Sequence, residues 1–236
     1  MNRETQGVVL LLVGGSVLYA SLTDLHLRYV KGGLRPLLLV AAAVLMVTAV
    51  ATLWREFRTR GHRTREGAHG HHHEPKVSWL LVLPVFALML AAPPALGSYA
   101  ADRAGTGIQE PPGFADLPAG DPVRLSVLDY ATRAVYDHGK SLTGRHVRLT
   151  GFLSTGPGGT PVLTRMFLSC CAADAQPIKV GLAGQLPVGL RPDTWIEVVG
   201  SYTAKQIADG VNGRPIPFLD VDTVTKVTPP RERYEV

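Results

Sequence analysis

The pattern of apolar and polar positions divides the chain into two unlike parts. Three long uncharged apolar runs end by residue 101, and past it apolar positions recur at the shorter spacings of packed helices and strands. Gly7 to Leu22 contains sixteen uncharged residues, slightly under the ~20 that cross a bilayer, and predicts a span over 7–22. A cleaved signal peptide is the competing reading, because this apolar core is short and Ala20 is small. Leu34 to Trp54 predicts a second span over 34–54. Pro36 falls in its first turn, where a missing N–H costs nothing, and Trp54 falls at the interface. Val77 to Ala101, twenty-five uncharged residues with Pro84, Pro93 and Pro94, predicts a third span with a kink over 77–101.

Residues 102–121 are rich in Gly and Pro and read as a linker to a domain over 122–236. Ser126 and Asp129 have capping-box spacing, and Leu125, Leu128, Ala131 and Val135 recur at helical spacing, so one short helix should run to about His138-Gly139. The period then becomes alternating. Arg145–Ser154, Val162–Ser169, Ile178–Leu182, Thr194–Tyr202 and Phe218–Val227 read as strands separated by Gly-rich turns. Gly151 and Gly200, in the middle of the first and fourth, permit the bends that closure of a small sheet needs. The expected fold is a membrane α-helical N-terminal region of three spans plus a mainly-β C-terminal domain, a small OB-like five-stranded barrel with one short helix.

Charge fixes an orientation for this plan. The first hundred residues carry ten Lys and Arg against five Asp and Glu, so the whole net charge of +5 lies in the apolar part. The other part is neutral and its predicted strands have few aromatic residues, which argues against nucleic acid as a partner. Basic residues concentrate in 55–76, which the positive-inside rule places in the cytoplasm. With three spans, the N-terminus is then cytoplasmic and the 122–236 domain extracytoplasmic.

Two clusters carry candidate chemistry. The 55–76 loop contains His62, His69, His71, His72 and His73, and imidazoles on a Gly-rich loop bind zinc or another transition metal in an exchangeable way. A solvated basic loop without a ligand is the bland alternative. The chain's two cysteines, Cys170 and Cys171, are adjacent, with Asp174 three residues on. Neighbours on a strand point to opposite faces, so a two-thiolate site needs a local turn, which Ala172–Ala175 could supply with Asp174 as an oxygen donor. Core packing of one thiol and a strained vicinal disulfide are the other readings. Cys-x-x-Cys spacing and the familiar hydrolase and phosphate-binding motifs are absent, so no enzyme is expected.

The paired N-terminal runs, His69–His73, Leu96-Gly97-Ser98, the string from Cys170 to Ala175 and the Pro-containing tail from Thr228 to Tyr234 together resemble the YcgQ-like family of bacterial permease subunits. The resemblance implies a polytopic YcgR-like permease as partner and a setting in transition-metal, zinc-like homeostasis. The expected function is a membrane accessory subunit whose outer domain binds a soft metal through Cys170, Cys171 and Asp174, with His69, His71, His72 and His73 binding metal inside. A ligand-free assembly subunit that docks the permease is the alternative, and an extracytoplasmic thiol-redox protein a more distant one.

Overall fold

A computed structural model describes residues 3–60, 87 and 94–236. The chain forms two compact units, one comprising Met1–His26 and Gly32–Pro94, the other Leu27–Lys31 and Ala95–Val236. In the first, helix α1 (Arg3–Leu22) packs on helix α2 (Arg35–Arg60). Small residues make the contact: Ala42 and Ala49, two turns apart, are fully buried, and a side chain at Gly14 would come within 3.1 Å of Leu45. Leu37, Val40, Val44, Val47 and Trp54 remain exposed. Among the described residues one helix, Gly32–Arg58, is long and apolar enough to cross a membrane, and the apolar part of α1, Gln6–Leu22, is shorter. By length and composition a helix so near the N-terminus suits a membrane span or a signal sequence.

Three spans are not seen among the described residues. Most of the third expected run lies outside them, and its end belongs to the second unit. There Ser98–Ala101 forms a single helical turn, α3, with Ala101 fully buried against Phe152, Met166, Leu168 and Tyr234.

The second unit is built on a mixed sheet of seven strands: β1 (Val123–Arg124), β2 (His146–Thr155), β3 (Pro161–Phe167), β4 (Gln176–Ala183), β5 (Trp195–Ala208), β6 (Pro215–Lys226) and β7 (Tyr234–Glu235). The order is β1-β2-β5-β6-β4-β3-β7, with a further pairing of β2 to β3. The five long strands match the five expected from alternation, and their pairings return to β2. One strand serves two partners: β2 pairs with β5 over His146–Phe152 and with β3 over Phe152–Thr155. Gly151 sits at the changeover, where a Cβ would lie 2.6 Å from the Thr164 carbonyl oxygen, so only glycine lets the strands approach. The short parallel strands β1 and β7 lie outside the alternating pattern and were not expected.

Helix α4 (Val127–Tyr136) covers the main core with Val127, Tyr130, Ala131 and Ala134, all buried. Ser126 Oγ accepts the Asp129 N–H at 2.9 Å, as the capping spacing predicts. A second cap comes from far along the chain: the Glu235 carboxylate accepts Val127 N–H at 2.7 Å and Leu128 N–H at 3.0 Å. Burial pushes the Glu235 carboxyl up despite these bonds.

The stretch expected as a spacer is packed onto the domain at its start. Thr106 and Ile108 are fully buried, Gly107 N–H donates to the Pro177 carbonyl, and Arg214 donates to the Ile108 carbonyl at 2.7 Å. Lys179 Nζ, on β4, donates to the Ala104 carbonyl at 2.8 Å and to Asp209 Oδ2 at 2.9 Å, while Asp209 also accepts Thr106 N–H at 3.0 Å and Val211 N–H at 2.9 Å. Burial opposes the Asp209 charge, but the bonds from Lys179 and the two backbone groups outweigh it and hold the carboxyl below its usual range. This buried ion pair fastens 104–106 to the sheet.

Candidate functional site

The connection from β3 to β4 carries both cysteines. Leu168, fully buried, anchors its start. The chain then turns through Cys170 and Cys171 into one short helical turn over Ala172–Asp174. The turn is closed by its own carboxylate. Asp174 accepts Ser169 N–H at 3.1 Å and Cys170 N–H at 2.7 Å, and its own N–H donates to the Cys171 carbonyl at 3.1 Å. Cys170 is exposed and Cys171 half-buried, both are free thiols, and their sulfurs stand 3.6 Å apart. Adjacent residues on a regular strand would aim these side chains apart. The turn supplied by Ala172–Asp174 brings the sulfurs together.

Electrostatics disfavour the thiolate at this spot. The hydrogen bond to the Asp174 carboxylate, helped by the neighbouring Cys171, pushes Cys170 up to about 11. The same contact, with backbone N–H groups of Ser169, Cys170 and Cys171, holds the Asp174 carboxyl below its ordinary range. Asp174 thus organises the turn, with its oxygens turned to the backbone and the thiol.

A segment unmarked by any sequence signal lies against the pair. Val30, between the two N-terminal helices, forms an antiparallel bridge with Cys171: Lys31 N–H donates to the Cys170 carbonyl at 3.0 Å and Ala172 N–H to the Tyr29 carbonyl at 2.7 Å. Next to it, the Tyr234 hydroxyl donates to the Arg28 carbonyl at 2.8 Å and accepts Leu96 N–H at 2.9 Å. Ser98 completes the cluster, its N–H and hydroxyl donating to the Asp193 carboxylate at 2.6 and 2.8 Å. Asp193 has a left-handed backbone, φ 65°, and a side chain at Gly97 would collide with its carboxylate. Leu96–Ser98, the cysteine turn and Tyr234, scattered along the sequence, are linked here through Arg28–Lys31.

A hollow of about 510 Å³ opens beside the turn, lined by residues including Glu110, Asp129, Phe167, Ser169, Asp174 and Gln176. His69, His71, His72 and His73 lie outside the described residues. His146 is taken up by Asp121 at 3.2 Å and Asp222 at 3.9 Å, and no group of three or more His, Cys, Asp or Glu converges to hold a metal ion among the described residues. Two sulfurs 3.6 Å apart do fit two corners of a tetrahedral ion, for which metal–sulfur bonds of about 2.3 Å separate the sulfurs by about 3.7 Å.

Residues 124–235 match the family model described as the DUF1980 C-terminal domain, which covers the sheet, α4 and the cysteine turn. No curated protein and no solved structure matches the chain.

Proposed function

We propose that this protein is a membrane accessory subunit of a permease, presenting a thiophilic metal ion of the zinc class on Cys170 and Cys171 of an extracytoplasmic domain. The observation that supports it is the sulfur–sulfur distance of 3.6 Å at an exposed turn, already the bite of a tetrahedral ion. In this reading Cys170 and Cys171 hold the ion and Asp174 shapes the turn. The ion's remaining positions stay open for a donor from a partner or for water, as suits an ion in transit. His69, His71, His72 and His73 buffer the same ions on the cytoplasmic side. The closed cycle of pairings β2-β5-β6-β4-β3-β2 reads as a small OB-like barrel, and the three apolar runs of the N-terminal part as spans beside a polytopic YcgR-like permease.

The position of Leu27–Lys31 supports the topology. This segment is hydrogen-bonded into the domain, so the connection between α1 and α2 and the domain share one side of any bilayer that both helices cross. The basic 55–76 stretch then falls on the other side, in line with the positive-inside rule.

The test is the metal content of the full chain, purified under reducing conditions with a YcgR-like permease, and calorimetric titration with zinc, copper(I) and arsenite. About one ion per chain is expected, lost when Cys170→Ser and Cys171→Ser are combined. A reduced protein that takes up none of these ions overturns the reading. One observation favours a ligand-free docking subunit instead: with Cys170 pushed up to about 11, the ion has to displace a tightly held proton. Co-purification with the permease that survives both substitutions, without metal in the wild type, would establish that alternative.

A further inference from the structure

The thiol pair and the segment between the two N-terminal helices share one peptide group. Any ring closed through the two sulfurs, by a metal ion or by an S–S bond, includes the Cys170–Cys171 peptide. The carbonyl of that peptide is the acceptor for Lys31 N–H at 3.0 Å, and the next amide, Ala172 N–H, donates to Tyr29 at 2.7 Å. Whatever bends this peptide therefore acts on Tyr29–Lys31.

The two closures make opposite demands. A tetrahedral ion wants the sulfurs about 3.7 Å apart, and they already stand at 3.6 Å, so the backbone stays as it is. A disulfide wants about 2.0 Å between sulfurs and at least about 4.4 Å between Cα atoms, whereas neighbouring Cα atoms across a trans peptide are fixed about 3.8 Å apart. With the Cα separation fixed, the ~1.6 Å by which the sulfurs must still approach has to come from rotation about the bonds flanking the peptide, away from the extended geometry seen at Cys171, φ −152° and ψ 173°, in which the bridge to Val30 forms.

We infer that Cys170-Cys171 is a latch on the connection between α1 and α2: the reduced or metal-bound pair keeps Leu27–Lys31 bonded to the domain, and a vicinal disulfide releases it. The metal half rests on the function proposed above, and the disulfide half does not. In the oxidising step the two thiols give up two protons and two electrons to a small disulfide of the glutathione class, which leaves as two thiols, while the S–S bond forms between Cys170 and Cys171. The remaining tie, from Tyr234 to the Arg28 carbonyl, keeps the released segment close enough to reset.

Hydrogen exchange of the full chain in detergent, followed by mass spectrometry, tests the latch. Peptides holding Tyr29–Lys31 and Ala172 should exchange at least about tenfold faster after treatment with oxidised glutathione. They should exchange no faster with zinc than in the reduced protein, and the combined Cys170→Ser and Cys171→Ser variant should respond to neither. Linkage supplies a second readout. If disulfide formation breaks the bond from Lys31 N–H, then Lys31→Pro, which lacks that N–H, should shift the equilibrium with oxidised glutathione toward the disulfide by about threefold to tenfold. Lys31→Ala keeps the N–H and should match the wild type, which separates the bond from the side chain. Unchanged exchange on oxidation overturns the latch, as does an unchanged equilibrium in Lys31→Pro. Absence of zinc uptake with exchange still quickened by oxidation would defeat the metal reading and leave the latch standing.

Discussion

Asp174→Asn isolates the electrostatic part of the thiol site. Asparagine keeps an oxygen for one of the two backbone N–H groups that Asp174 accepts, and removes the largest of the influences that push Cys170 up to about 11, the neighbouring Cys171 and burial supplying the rest. Full restoration of the ordinary value would raise the thiolate fraction at neutral pH by about a hundredfold, since each unit is a factor of ten, and Asp174 supplies the largest part of that shift but not all of it. A less basic thiolate is also a poorer nucleophile, by about sixfold to tenfold over two units. The net expectation is alkylation of Cys170 faster by up to about tenfold. Cys170 is exposed, so access does not limit the rate. The assay is the rate of iodoacetamide labelling at pH 7.5, read by mass spectrometry in a Cys171→Ser background so that one thiol reports. Equal rates with and without Asp174 would refute the reasoning, as would a wild-type rate that already levels off near pH 9.

The remaining predictions concern how the site is held. Asp209→Ala leaves Lys179 buried without its partner and should destabilise the protein by about 3–5 kcal/mol in urea unfolding, whereas replacing both by apolar residues should cost much less. Because the Asp209 carboxyl is held below its usual range, its stabilisation is present above the unfolded-state value of about 3.9 and is lost as pH falls through the lower folded value. The acid limb of stability below about pH 4 should therefore flatten in Asp209→Ala. Gly97→Ala should force Asp193 away from Ser98, costing about 1–3 kcal/mol and quickening hydrogen exchange at Ser98. Exchange at Ser98 as slow as in the wild type would count against that contact.

Local patterns located the regular elements well because each rests on near neighbours. Alternation marked all five long strands to within a few residues, except that β5 runs on to Ala208 and β6 begins at Pro215, where the two strands extend a hairpin beyond the alternating core. The helix cap at Ser126 was legible because donor and acceptor are three residues apart. Its second cap was not, since Glu235 reaches it from more than a hundred residues away. The 102–121 stretch misled because Gly and Pro signal an absence of helix and strand, not an absence of packing. Thr106 and Ile108 are buried in an irregular backbone whose polar groups are met by Lys179, Asp209, Asn212 and Arg214.

What the sequence by itself determined is the division into an apolar helical part and a strand-rich part, and the identity of the two thiols as the unusual chemistry of the second. Composition and periodicity carry that information because hydrophobic burial and backbone geometry are read residue by residue. Only the tertiary structure decided where the thiols point and what they touch. Their approach to 3.6 Å depends on a turn closed by Asp174, and their partner, Tyr29–Lys31, lies about 140 residues earlier with no periodic signal. Pairing at that range is set by how the sheet, Tyr234 and Leu96 converge, and no window along the chain contains it.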